Sequence, residues 1–161
     1  MLPAGAPGMK RPVKGLKGIV GRIIAKRQGI PYSHTGIALG NGFVLESTML
    51  YTKISPEEHW EGTDWWELYH PLGAERQRQL RSLAYFIRDR IKYSWWDHLC
   101  MFLFKGVPGK RGHGLVCTYL VAEVMMTLLN IDMTTIKQPW NMDLREELSF
   151  LNSSGYFRRM K

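Results

Sequence analysis

The sequence predicts an α+β fold, with a small antiparallel β-sheet packed against helices, and three observations predict it. Apolar residues recur at helical spacing in two long segments, 74–91 and 116–129. Two β-tolerant runs, 32–39 and 43–48, flank Gly40-Asn41-Gly42, a composition suited to a tight hairpin. The chain has 161 residues, 45% of them hydrophobic, enough to bury one core. Charged residues make up 22% and aromatic residues 12%, which excludes a wholly disordered chain. No run approaches the roughly 18 apolar residues of a membrane span, and Gly, Pro and Lys stand where a secretory leader needs an apolar stretch. Cys100 and Cys117 allow one bridge at most and form no CxxC pair, so neither a disulfide scaffold nor a zinc ribbon is expected.

Residues 1–15 hold Pro3, Pro7 and Pro12 with Gly5, Gly8 and Gly15, and they read as a basic Pro/Gly-rich arm without regular structure. Residues 16–161 are expected to form the single domain. Leu16, Ile19, Val20, Ile23 and Ile24 mark one face of a short basic amphipathic helix, which Gly18 and Gly21 weaken, so it needs a tertiary partner or a lipid surface to persist, and core packing is the partner expected. The hairpin follows, then a short strand at 65–69 closed by Pro71. Leu80, Leu83, Ala84, Ile87 and Ile91 line the inner face of the helix at 74–91. A shorter apolar segment at 95–104 ends in a loop at 105–109, and the buried helix at 116–129 stops at Asn130. A helical turn at 143–148 and a strand near Tyr156 close the chain.

Lysine and arginine total 22 against 14 acidic residues, a net charge of +8. Lys10, Arg11, Lys14, Lys17, Arg22, Lys26 and Arg27 all precede the first acidic residue, Glu46, so the N-terminal part carries a positive field. Such a basic arm fits an anionic wall polymer, a membrane surface or nucleic acid; a solvated, solubilising surface is the plainer reading.

His34 opens the first hairpin strand and Glu46 lies on the second. A three-residue loop closed by Leu39 and Phe43 sets Gly36 opposite Glu46 and His34 opposite Thr48. His34 and Glu46 are then diagonal neighbours on one face, with Gly36 leaving room between them; a two-residue loop would put them on opposite faces. Cys117 follows Gly112-His113-Gly114-Leu115-Val116 at the start of the apolar helix, where free backbone N–H groups and the helix dipole favour a thiolate. Nucleophile, base and orienting carboxylate are the parts of a Cys-His-acid site. Cys100, inside Leu99-Cys100-Met101-Phe102, reads as a core residue. No HxxxH or CxxC pair brings two ligands onto one face, so neither a metal nor a cofactor is expected.

Four stretches, Ile30-Pro31-Tyr32-Ser33-His34-Thr35-Gly36-Ile37-Ala38-Leu39-Gly40, Val44-Leu45-Glu46-Ser47, Val116-Cys117-Thr118-Tyr119-Leu120-Val121-Ala122 and Pro139-Trp140-Asn141-Met142-Asp143-Leu144, together resemble the circularly permuted papain-like proteins. These are the YiiX-like hydrolases of the NlpC superfamily, related to the NlpC cell-wall peptidases and to lecithin retinol acyltransferase. The resemblance spans roughly residues 16–148 in the permuted order His, acid, Cys. It implies a circularly permuted papain-like fold, with Cys117 as nucleophile, His34 as base and Glu46 as the orienting residue. Two departures stand out. The family's Gly-Asp-containing opening strand is replaced by Ala4-Gly5-Ala6-Pro7-Gly8, so that strand is expected to be lost, and Thr118-Tyr119 stands where many members have Ser then Glu.

The implied activity is that of a cysteine hydrolase acting on an amide or ester, first of all a peptidoglycan peptide amide. A lipid-directed acyl hydrolase or acyltransferase of the same fold is the alternative, as is an inactive structural or virion module whose arm binds nucleic acid or membrane. The small size suits a virus-encoded member, which sets the expected location as cytoplasm or virion.

Overall fold

In a computed structural model the described residues are 1–15, 18–48, 50–91, 117–132 and 142–161. Six strands form one sheet: β1 (Pro7–Lys10), β2 (His34–Ala38), β3 (Phe43–Ser47), β4 (Thr52–Pro56), β5 (Asp64–Leu68) and β6 (Phe157–Arg159). Their order is β4-β3-β2-β1-β5-β6, every neighbouring pair antiparallel. The described helices are α1 (Ile19–Gln28), α2 (Ala74–Ile87), α3 (Cys117–Thr127) and α4 (Leu144–Ser153), with a 3-10 turn at Glu57–Trp60. The segment expected at 95–104 and the loop expected at 105–109 lie outside the described residues.

The hairpin has the expected register. Gly36 pairs with Glu46, Ile37 with Leu45 and Ala38 with Val44, and the Leu39 amide bonds to the Phe43 carbonyl at 2.9 Å. Gly40 and Gly42 carry φ of 75° and 82°, the left-handed geometry that a side chain resists. Alternation then sorts the sheet into two faces. Ile37, Leu39 and Leu45 join Leu80, Ala84 and Ile87 of α2 and Leu120 and Val124 of α3 in one core cluster. Met9 and Trp66 join α1 through Ile24, α3 through Val121 and Met125, and α4 through Phe150 and Leu151. The opposite face carries Gly8, Gly36, Ala38 and Val44 and is covered by Trp60 and Trp65.

The structure corrects the reading of residues 1–15 as an arm without regular structure. Pro7–Lys10 is an inner strand of the sheet, paired with β2 on one side and β5 on the other, and Ala4, Ala6 and Met9 are buried. The opening strand expected to be lost is present. Pro7 is tolerated because it is the strand's first residue. Gly8 is needed because a Cβ there would lie 2.5 Å from Cζ3 of the Trp65 indole.

β4 is an element that periodicity does not reveal. Thr52 ties it to the end of α2: its hydroxyl donates to the Ile87 carbonyl at 2.6 Å, and its own carbonyl accepts from the Asp89 amide at 2.8 Å. α2 therefore ends at Ile87 rather than at residue 91. α4 is longer than the single turn expected, and it begins with a capping box in which Asp143 and Glu146 satisfy each other's backbone amides.

Candidate active site

His34 is the first residue of β2, and Glu46 lies diagonally across on β3, so both side chains leave the same side of the pleat. His34 Nε2 and Glu46 Oε2 are 2.7 Å apart. The same carboxylate accepts from Ser55 Oγ at 2.5 Å through Oε1, and Ser55 Oγ in turn accepts from Trp60 Nε1 at 3.1 Å. Lys53, opposite Glu46 on β4, brings its ammonium to 3.5 Å. The Trp60 indole stacks on the imidazole, with ring centroids 5.5 Å apart and planes at 29°.

Gly36 makes this stacking possible, since a Cβ there would lie 2.6 Å from Cη2 of Trp60. The indole thus lies over Gly36, beside a carboxylate that reaches the imidazole directly. Lys10 of β1 donates to the His59 carbonyl and sits over the Trp60 ring, 5.2 Å from its centroid.

Cys117 is buried, at the N-terminal end of α3, with its thiol near enough to His34 to act on the imidazole's proton affinity. With Nε2 committed to Glu46, Nδ1 is the ring nitrogen left for the thiol. Burial alone would favour neutral imidazole, but the bonds to Cys117 and Glu46 and the attraction of both charges prevail, and they hold the His34 pKa up at about 10. Burial likewise opposes the Glu46 charge, yet His34, the Ser55 hydroxyl and Lys53 outweigh it and hold that carboxyl down at about 2. Both shifts favour an imidazolium held by a carboxylate, with the thiol nearby.

All three residues singled out from the sequence meet in one place. Cys100, His98, His113, Trp95, Trp96 and the glycines at 112 and 114 lie outside the described residues. Sequence reasoning missed Ser55, Trp60 and Lys53. The available signal was Gly36: a glycine inside a strand marks the close approach of another group, here an indole. The departure at Thr118-Tyr119 places a buried threonine beside the cysteine, and the Tyr119 hydroxyl donates to Glu123 Oε1 at 2.9 Å.

Beneath the site, Thr35 Oγ1 donates to Glu147 Oε1 of α4 at 2.7 Å. Glu147 is fully buried and its second oxygen has no hydrogen-bond partner among the described residues. Burial, only partly offset by Thr35 and His34, pushes this carboxyl up to about 8. No helix among the described residues is long and apolar enough to cross a membrane.

No family model and no curated protein matches the chain. Among solved structures it is similar to the metalloprotein YiiX from Escherichia coli O157:H7, at 17% sequence identity and a TM-score of 0.57, over 80% of this chain and 67% of that one. The likeness supports a YiiX-like fold.

Proposed function

We propose that the chain is a permuted papain-like cysteine hydrolase that cleaves an amide or ester bond through a thioester on Cys117. The observation that carries this reading is a single imidazole, His34, hydrogen bonded to Glu46 through Nε2 and near enough to the buried Cys117 for the sulfur to act on its proton affinity. The sulfur attacks the substrate carbonyl carbon as a thiolate and forms a C–S bond. Free N–H groups of the first turn of α3 stabilise the oxyanion. The C–N or C–O bond breaks as the His34 imidazolium gives its proton to the leaving group. Water then attacks the thioester, His34 takes its proton, the C–S bond breaks, and the acid product leaves the thiolate–imidazolium pair restored. Glu46, fixed by Ser55 and Trp60, holds the ring in register throughout.

The substrate class implied by resemblance is a peptidoglycan peptide amide. A second reading, an acyl lipid, is favoured by one observation, the apolar residues that α1 turns outward. YiiX is described as a metalloprotein. Here no group of three or more His, Cys, Asp or Glu side chains among the described residues is placed to hold a metal, and His34 Nε2 is engaged by Glu46. These residues do not fit a metal centre, and no step above uses one.

The test is alkylation by iodoacetamide near pH 6.5, followed by mass spectrometry in a Cys100→Ser background. Cys117 is expected to react roughly tenfold or more faster than in a His34→Ala variant, with Glu46→Ala in between. Equal rates in the three proteins would overturn the proposal. Coupling, once seen, directs a comparison of muropeptide amides with acyl esters, each against Cys117→Ala.

A further inference from the structure

The sequence places Ile19, Val20, Ile23 and Ile24 on one helical face for which a core partner is expected, but the structure divides them. Ile24 and Ala25 are 8% exposed, whereas Ile19 is 41%, Val20 48% and Ile23 50% exposed. At 100° per residue Ile19, Ile23 and Val20 form one outward ridge, and Gly21, Ile24 and Ala25 face the protein. Val13, 63% exposed, extends the ridge, and Arg22 holds that turn by donating to the Val13 and Gly15 carbonyls. Exposed Lys14, Lys26 and Arg27 flank it. No acidic residue occurs before Glu46.

Two other N-terminal cations are turned toward the protein. Lys10 is bound to the His59 carbonyl and Trp60, and Arg11 pairs with Asp64 at 3.2 Å. The exposed cations Lys14, Lys26 and Arg27 therefore lie around four apolar side chains. A polyanion in water is held by charge alone and gains nothing from such side chains. A bilayer interface takes both, the apolar residues among the acyl chains and the cations at the headgroups.

We propose that the outward ridge of α1, Val13, Ile19, Val20 and Ile23 with Lys14, Lys26 and Arg27, docks the protein onto an anionic phospholipid surface. The opposite side of α1 rests against Ser33, since a Cβ on Gly21 would lie 3.0 Å from Ser33 Oγ. Ser33 immediately precedes His34, so docking sets the end of β2 that carries His34 about one helix diameter, ~10 Å, from the ridge. Binding does not require that Cys117 be reactive, and the two proposals fail separately.

The test is co-sedimentation of the full chain with phosphatidylcholine vesicles containing about a third phosphatidylglycerol, against pure phosphatidylcholine, at low and high salt. Binding is expected only to the anionic vesicles, weakened by salt, and reduced roughly tenfold or more by Ile19→Ser/Ile23→Ser. Circular dichroism melting of that variant must match the parent. Ile23→Trp is the complementary variant, for which tighter binding and a blue-shifted emission on vesicle addition are expected. No binding to anionic vesicles overturns the proposal. So does equal binding by the parent and Ile19→Ser/Ile23→Ser, the behaviour of a surface that recognises polyanions by charge, to be matched then by undiminished binding to single-stranded DNA. Parental alkylation of Cys117 in the serine variant shows that the loss lies in docking and not in the site.

Discussion

Glu46→Gln isolates the charge that holds His34. The amide keeps the side-chain volume and an oxygen for Ser55 Oγ, and removes a negative charge whose oxygen lies 2.7 Å from Nε2. With charge centres roughly 4 Å apart and an effective dielectric constant near 20, a unit pair is worth about 4 kcal/mol. At about 1.4 kcal/mol per tenfold, that is up to a thousandfold in proton affinity, less where the open end of β2 admits water. The parent imidazole is expected to titrate near pH 10. The variant is expected to titrate roughly one to three pH lower. Histidine-selective nitrogen–proton NMR measures both midpoints, with His34→Ala to assign the signal.

Stability follows in a defined window. The His34 value, about 10, lies above the ordinary 6.5, so its contribution is complete below 6.5 and is lost as pH rises through 10. Glu46, at about 2 against an ordinary 4.5, contributes above 4.5, and that contribution is lost as pH falls toward 2. Both hold between 4.5 and 6.5. Urea unfolding at pH 6 should therefore show the variant less stable by up to roughly 3 to 5 kcal/mol, with the gap closing toward pH 10. A parent midpoint near 6.5, or one that Glu46→Gln leaves unmoved, would refute the ion pair.

Three further substitutions probe the scaffold. Gly36→Ala drives a methyl to 2.6 Å from Trp60 Cη2 and 3.0 Å from the Leu45 carbonyl, and denaturant unfolding should show a loss of roughly 1 to 3 kcal/mol with slower Cys117 alkylation. Ser55→Ala strands the buried Trp60 Nε1 and leaves Glu46 Oε1 to the Lys53 ammonium at 3.5 Å; a cost of roughly 1 to 3 kcal/mol is expected, measured by the same unfolding curve, together with a shifted His34 midpoint. Asp143→Ala removes one half of the capping box, which should cost about 1 kcal/mol in thermal unfolding and leave Cys117 alkylation unchanged.

The parts of the fold legible in the sequence are those whose constraint is local. Gly40 and Gly42 supply the positive φ of the hairpin loop, so register, and with it the His34–Glu46 diagonal, follows from one turn. α2 announces itself by period because it buries one side, and α3 by its apolar run because it is buried nearly all round. β1 was hidden because proline and glycine read as breakers, whereas Gly8 is required by an indole contributed from more than fifty residues away. Ser55 and Trp60 were hidden for the same reason: β4 becomes a neighbour of Glu46 only once the sheet is assembled. The division of α1's apolar residues between inside and outside is likewise not encoded in period, which says that a face exists but not what covers it.

Glu147 offers the sharpest test of the burial argument, because it reverses the usual expectation for losing a charged residue. Its carboxyl is fully buried, held by one hydroxyl from Thr35, with the other oxygen unpartnered among the described residues. A folded value of about 8 against an ordinary 4.5 means that the folded state takes up a proton that the unfolded chain has released above pH 4.5. That costs stability from pH 4.5 upward and reaches its full extent above 8. Near pH 7 the cost is about 3 kcal/mol, from roughly 1.4 kcal/mol for each pH above the free value. Glu147→Gln is neutral at every pH and keeps an oxygen for Thr35, at the expense of one extra amide hydrogen without a partner. The variant should thus equal or trail the parent at pH 4 and exceed it by roughly 1 to 3 kcal/mol at pH 8. Parallel urea titrations at the two pH values decide it. A variant less stable than the parent at pH 8 would mean that Glu147 is ionised and paired, and burial would not be what governs it.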